Sequence, residues 1–241
     1  MSLEGNVDYA LARVQAQYGE RPQTSDWRRL EASHDLGQYL ESARSSFFGP
    51  WIAGLDRNRD AHAIERTLRA AWRQYVRTVA GWHPRCWQAW LTWLEWLPSL
   101  GLIRQLEPPG QLPAELQADP VVGTTGKAAA LAIFESAIAG RVPLGQLWLA
   151  RWRELRPVVD EDSERLLAAV ARAVREHTRA LAVESADAVA LRERLRARLR
   201  RVFRSAAGTP VASLCHLVLM ALDFERLRGG LVTRALFGSS G

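Results

Sequence analysis

Residues 60–81 read DAHAIERTLRAAWRQYVRTVAG, and residues 187–208 repeat the pattern as DAVALRERLRARLRRVFRSAAG. At an offset of 127 residues, 10 of the 22 aligned positions are identical, and a proline follows each copy, Pro84 in the first and Pro210 in the second. A fixed-period echo of this kind usually marks a duplicated supersecondary unit. The competing interpretation is that two Ala- and Arg-rich amphipathic helices match by composition alone.

Both copies have the periodicity of an amphipathic helix. In the first copy the apolar positions are Ile64, Leu68, Trp72, Tyr75 and Val79. In the second copy they are Leu191, Leu195, Leu199 and Val202. Steps of three and four residues place such side chains on one helical face. No stretch of the chain shows a sustained alternation of apolar and polar residues, so we predict an all-α, repeat-like bundle of two pseudo-equivalent halves.

The chain is predicted to divide at a segment rich in proline and glycine. Four prolines and four glycines lie within residues 99–127, which we interpret as a linker. The first helical unit is then predicted over residues 1–98 and the second over residues 128–237. Residues 238–241 form a short Gly- and Ser-rich tail that we expect to be disordered.

Composition bounds the class of protein. Apolar residues make up 48% of the 241 residues and charged residues 24%, as in an ordinary globular protein. The formal net charge is +6, and arginine supplies nearly all of the positive charge because Lys127 is the only lysine. A basic protein favours acidic partners. Nucleic acid is the less favoured partner, because aromatic residues do not interleave with the arginines.

Three features indicate a soluble, intracellular protein. The start of the chain does not have the pattern of a signal peptide, and the longest nearly apolar run, residues 211–222, is too short to span a membrane. The only two cysteines, Cys86 and Cys215, do not make a disulfide framework. We therefore expect a cytoplasmic protein.

Tryptophan is concentrated in residues 84–100, PRCWQAWLTWLEWLPSL. Trp87, Trp90, Trp93 and Trp96 recur every three residues, so on an α-helix they spread over half of the circumference. Such a helix is either buried on most sides or binds a partner through part of its surface. The core interpretation is favoured, because exposed apolar patches of that size are uncommon on monomers. Trp93 and Trp96 are the candidates for a partner contact.

Arginines recur in register in the two copies. The rows are Arg69, Arg73 and Arg77 in the first and Arg196, Arg200 and Arg204 in the second. Residues spaced by four rise along one face of a helix. The simpler interpretation is a solvent-facing row, partly paired with acids such as Glu65 and Glu193. The functional interpretation is a surface that binds an acidic protein partner.

Residues that could perform chemistry are sparse. His83 and Cys86, with Cys215 and His216 at the matching place in the second half, could be four zinc ligands. Adjacent residues on a helix point about 100° apart and hardly hold one ion, so we predict no metal site. The GTTGK of residues 123–127 lacks the glycine and the hydroxyl residue of a phosphate loop. With no paired carboxylates or activated nucleophile, we predict neither an enzyme nor a cofactor.

Three short sequence patterns, taken together, support a resemblance to a known family. They comprise Tyr9, Ala12, Arg13 and Val14; Asp60, Ile64, Glu65 and Leu68; and, more loosely, Phe224, Leu227 and Arg228. In these patterns the chain resembles the C (or d) subunit of rotary A/V-type ATPases. Members of that family open with a tyrosine-bearing ARV-type helix, contain helices of the form D-x-x-x-I-E-x-x-L and close with a helix ending in E-x-x-x-L-R.

The resemblance implies an all-helical, non-catalytic subunit that seats the central stalk on the membrane rotor ring and transmits torque. Its partners would be stalk or rotor-ring subunits, and the protein would be peripheral at the inner membrane through that complex. Family members contain three helical units, whereas two are visible here, so the chain would be a shortened relative. The alternatives are an unrelated helical adaptor or scaffold that binds an acidic protein, and an α-helical enzyme, which would need a polar pocket.

Overall fold

A computed structural model of the protein describes residues 7–100, 134, 141–183 and 187–238. Every regular element within these ranges is helical, so the all-α prediction is confirmed. The α-helices are α1 (Val7–Gly19), α2 (Thr24–Glu31), α3 (Leu36–Arg44), α4 (Ala61–Gly81), α5 (Arg85–Thr92), α6 (Leu144–Glu154), α7 (Glu161–Val183), α8 (Ala188–Ser205) and α9 (Val211–Phe237). Two 3-10 helices, Gly49–Trp51 and Trp93–Ser99, precede α4 and follow α5.

The two repeated stretches form α4 and α8 and share five buried pairs of equivalent positions. The buried equivalent pairs are Ile64 and Leu191, Leu68 and Leu195, Arg69 and Arg196, Trp72 and Leu199, and Val76 and Phe203. The helix ends differ. The Asp60 carboxylate accepts a hydrogen bond from the backbone N–H of Ala63 at 2.7 Å and caps α4, whereas Asp187 makes no such bond for α8. The equivalence of two complete halves therefore stays a prediction.

Helix α9 lies at the centre of the fold. Its sequence is apolar around most of the circumference, which is the pattern of a helix buried on all sides. Its 27 residues span about 40 Å, and along that length it packs against α1, α3, α4, α7 and α8. Both repeated helices thus meet on α9, and the two predicted units contribute to one hydrophobic core.

The predicted domain boundaries fall largely outside the described residues. Of the linker predicted over residues 99–127, the structure describes only Ser99 and Leu100. Of the predicted tail, Gly238 lies in a turn that follows α9, and residues 239–241 lie beyond the described part.

The tryptophan segment changes helix type along its length. It begins as α5 and continues as the 3-10 helix Trp93–Ser99, which contains Pro98. Proline cannot donate the backbone hydrogen bond of a helix interior, which favours the tighter and shorter 3-10 form here. In a 3-10 helix residues three apart eclipse one another, so the three-residue spacing of Trp93 and Trp96 suits this geometry.

Two neighbouring glycines of α9 provide a matched test of this packing. A Cβ on Gly230 would overlap the hydroxyl of buried Tyr39 and lie 2.7 Å from its Cζ, whereas a Cβ on Gly229 would meet nothing within 4 Å. We expect Gly230→Ala to lower the free energy of unfolding by ~1–3 kcal/mol through overpacking. Gly229→Ala should instead raise it by ~0.5–1 kcal/mol, as in an exposed helix. Urea unfolding measures both, and equal effects would contradict the close approach of α9 to Tyr39.

Candidate functional site

The arginine row of α4 is not a solvent-facing row. Arg69 and Arg73 are buried, so that part of the prediction is wrong. Arg69 Nη1 lies 2.9 Å from Glu65 Oε2, one turn earlier on the same helix. Arg77 is half-exposed, and its Nε donates to Glu95 Oε2 at 2.8 Å. Of the three, only Arg77 presents its side chain to solvent.

The row of α8 is also divided between core and surface. Arg196 is buried, contrary to the prediction, because its Nη2 lies 3.0 Å from the buried Asp223 Oδ1 of α9. Arg200 is half-buried and Arg204 is exposed. The role of Arg77, Arg200 and Arg204 in binding a partner stays a prediction.

Asp223 holds two arginines inside the protein. Arg21, from the segment that follows α1, approaches the other carboxylate oxygen, with Nε and Nη2 at 2.9 and 2.5 Å from Oδ2. Arg196 occupies Oδ1. All three residues are buried, and the guanidinium groups lie on opposite oxygens of one carboxylate. Sequence patterns missed this cluster because Arg21 and Asp223 are 202 residues apart.

Two histidines join the polar side of α9 to the first half of the chain. His216 Nε2 lies 2.7 Å from the Tyr75 hydroxyl of α4, and His83 Nε2 lies 2.8 Å from Ser213 Oγ. Both Nδ1 atoms are buried and have no hydrogen-bond partner in the described part of the chain. An unpaired lone pair costs less than an unpaired N–H, so we assign the proton to Nε2, which then donates in each bond. Burial lowers the pKa of His83 to about 4 and that of His216 to about 3, so both rings are neutral.

The tryptophan segment packs against α6. Trp93 is buried, and its indole N–H donates to the Trp148 carbonyl at 3.1 Å. The ring of Trp90 stacks on Trp152 with centroids 4.8 Å apart. Trp93 therefore belongs to the core, in agreement with the favoured interpretation of this segment, and its contact with a partner stays a prediction. Trp96 is half-buried against Trp93, and its part in a partner contact stays a prediction.

A groove with both apolar and charged lining residues lies between α7 and α8. We call it the α7–α8 groove, and it comprises adjoining cavities of about 410 and 120 Å³. Its apolar lining comprises Ala169, Ala173, Ala180, Leu191, Leu195 and Val202. Its charged lining comprises Arg172, Glu176, Arg194, Arg198 and Arg201. Sequence reasoning missed these arginines, although Arg194, Arg198 and Arg201 have i, i+4, i+7 spacing.

Positive charge is concentrated on α8. Its 18 residues include seven arginines and one glutamate, a formal net charge of +6, which equals the net charge of the whole chain. The exposed members are Arg192, Arg194, Arg198, Arg201 and Arg204. Within the described residues, only Arg194 and Arg198 of these five pair with a carboxylate, that of Asp187 and that of Glu176. The surface of α8 is therefore a strongly basic patch.

Comparison with protein-family models, with curated proteins and with solved structures finds no match to this chain. Among the described residues, no group of three or more His, Cys, Asp or Glu side chains gathers in a way that could hold a metal ion. None of the helices in the described ranges has the length and apolar character needed to cross a membrane.

The Asp223 cluster should dominate the sensitivity of the fold to substitution. Asp223→Asn keeps the shape of the side chain but removes the buried counter-charge of Arg21 and Arg196, and leaves Arg196 only its pair with the more exposed Glu193. We expect the free energy of unfolding to fall by ~3–5 kcal/mol. The matched control is Glu31→Gln, which removes the more exposed pair with Arg226 and should cost less than ~1 kcal/mol. Similar losses for the two variants in urea unfolding would contradict the structural role of Asp223.

The neutral histidines should make the fold sensitive to acid. An unfolded histidine has a pKa of about 6.5, whereas those of folded His83 and His216 are about 4 and 3. The unfolded chain therefore binds more protons below about pH 6.5, and the free energy of unfolding falls as pH falls. The slope is up to ~1.4 kcal/mol per pH unit for each histidine, and neither contributes a slope above about pH 7.

Urea unfolding at about pH 7, 6 and 5 measures that slope. His83→Gln should reduce it by up to half, since one of the two buried titrating rings is removed. His34→Gln, which changes an exposed ring, is the control and should leave the slope unchanged. An unaltered slope in His83→Gln would show that this histidine is not held neutral by burial.

Proposed function

We propose that the protein is a non-catalytic helical subunit that binds an acidic protein partner through α8. The observation that carries the proposal is the concentration of charge on that helix, whose net charge of +6 equals that of the chain. Clustered charge of one sign raises association rates with a partner of the opposite sign and favours such partners over others.

The interior of the described part supports a binding role over a catalytic one. Asp223 is occupied by two arginines, His216 by Tyr75 and His83 by Ser213. These are the buried polar groups that an enzyme would keep facing a substrate cavity. Here they join helices to one another, and the arginines left on the surface of α8 are the groups available for recognition.

The specific role that we propose is the coupling of a central stalk to a rotor ring, as in the C (or d) subunit of rotary A/V-type ATPases. Support comes from a contact between two of the three sequence patterns that resemble the family. Glu65 of the second pattern and Arg228 of the third form an ion pair, with Oε1 and Nη1 2.6 Å apart. Residues far apart in the chain thus serve one contact between α4 and α9. An adaptor for another acidic protein is the second role that the basic surface of α8 would suit.

Affinity capture of the tagged full-length chain from its native host, followed by mass spectrometry, tests the proposal. The charge-depleted variant replaces five exposed α8 arginines by glutamine, namely Arg192, Arg194, Arg198, Arg201 and Arg204. Its matched control removes five exposed arginines elsewhere, namely Arg28, Arg29, Arg57, Arg59 and Arg153. Circular dichroism confirms that both variants remain helical.

We expect the wild-type protein and the control to retain the same partner, and the charge-depleted variant to retain at least about tenfold less. Exposed ion pairs contribute ~0.2–1 kcal/mol each, so losing several of them reaches that factor. Recovery of stalk or rotor-ring subunits would support the coupling role, and recovery of a different protein with an acidic surface would support the adaptor role. An equal loss in the control, or no retained protein, would contradict the proposal.

A further inference from the structure

The α7–α8 groove has a charged edge with helical periodicity. Arg194, Arg198 and Arg201 lie along one side of α8 at i, i+4 and i+7, and cover about 10 Å of the helix axis. Arg172 adds a fourth positive charge from α7. Glu176 lies in the same groove and pairs with Arg198, which leaves four arginines against one glutamate. The groove is therefore complementary to an elongated partner with acids at the same spacing.

The floor of the groove is apolar and shallow. Ala169, Ala173 and Ala180 form the α7 side, and their short side chains allow another helix to approach closely. Leu195 and Val202 contribute from α8. An extended acidic chain or a small anion would leave this apolar surface uncovered. An amphipathic helix covers it with one face and meets the arginines with the adjoining face.

The lining of the groove argues against nucleic acid as the occupant. Proteins bind single strands by stacking bases on aromatic side chains, and the lining residues include no such ring other than that of His177. Six of the ten tryptophans form a separate cluster around α5, the 3-10 helix after it and α6, and the groove lining contains none of the ten. A duplex backbone would use the arginines but not the apolar floor.

We infer that the α7–α8 groove binds one acidic amphipathic helix of the partner protein, with acids at i, i+4 and i+7 facing Arg194, Arg198 and Arg201. This inference rests on the proposed function and assigns its contact to one side of α8. Arg192, Arg200 and Arg204 lie elsewhere on the circumference of α8 and do not line the groove. These two sets of three arginines provide a charge-matched comparison within one helix.

Fluorescence anisotropy with a synthetic peptide tests the inference on the full-length protein. The probe is a fluorescein-labelled helix about four turns long, made of alanine and leucine, with glutamates at i, i+4 and i+7 beside the leucine face. The control peptide carries glutamine at the same positions. The groove variant is Arg194→Gln, Arg198→Gln and Arg201→Gln, and the matched variant is Arg192→Gln, Arg200→Gln and Arg204→Gln.

We expect the groove variant to raise the Kd for the glutamate peptide about tenfold and the matched variant to raise it less than about twofold. The glutamine peptide should bind at least about tenfold more weakly than the glutamate peptide, and added salt should weaken the glutamate peptide most. Ala169→Glu, which places a negative charge on the floor, should also weaken binding while leaving three arginines of the edge in place.

Three results of the peptide titrations would overturn the inference. They are an equal loss in the two triple variants, equal binding of the two peptides, and no binding of the glutamate peptide. Stronger competition by a DNA duplex of equal charge than by unlabelled glutamate peptide would assign the groove to nucleic acid instead. If host capture depends on Arg192, Arg200 and Arg204 while the groove variant captures normally, the proposed function stands and the groove assignment fails.

Discussion

The carboxylate of Asp223 sets the arrangement of the helices around it. Burying a charge costs several kcal/mol unless partners surround it, and here Arg21 and Arg196 occupy its two oxygens. The first partner fixes the segment after α1 against α9, and the second fixes the rotation of α8. Because Arg196 points at α9, Arg194 and Arg198 lie about 200° away and face α7. One buried ion cluster thus decides which arginines of α8 remain on the surface.

The sequence predicts what depends on neighbouring residues. The apolar spacing of residues 60–81 and 187–208 predicts α4 and α8, and each following proline marks the start of the next helix. The burial of Arg69 and Arg196 could not be predicted from that spacing. Arginines at four-residue steps give the same sequence pattern whether their side chains face water or pair with a buried carboxylate. Asp223 supplies that carboxylate only once α9 has packed against α8.

The sequence did not predict the α7–α8 groove, because its lining comes from two helices that are separate in the sequence. Arg194, Arg198 and Arg201 have helical spacing in the sequence, but their neighbours from α7 appear only when the two helices pack together. Likewise, the tryptophan repeat alone is compatible with either an interface or a core. The structure places α6 beside it, where the Trp148 carbonyl accepts a hydrogen bond from the Trp93 indole. These aromatic residues pack in the interior, and the exposed arginines of α8 form the surface through which we propose that a partner binds.

Native-state hydrogen exchange followed by mass spectrometry tests most directly whether α9 unites both repeated helices in one core. Amides of α9 should exchange only through global unfolding, and those in the buried stretches of α4 and α8 should reach the same limiting free energy, because both helices pack on α9. If α4 and α8 instead open in separate steps with different free energies, the two units fold independently. The central position of α9, and the sorting of arginines that follows from it, would then be contradicted.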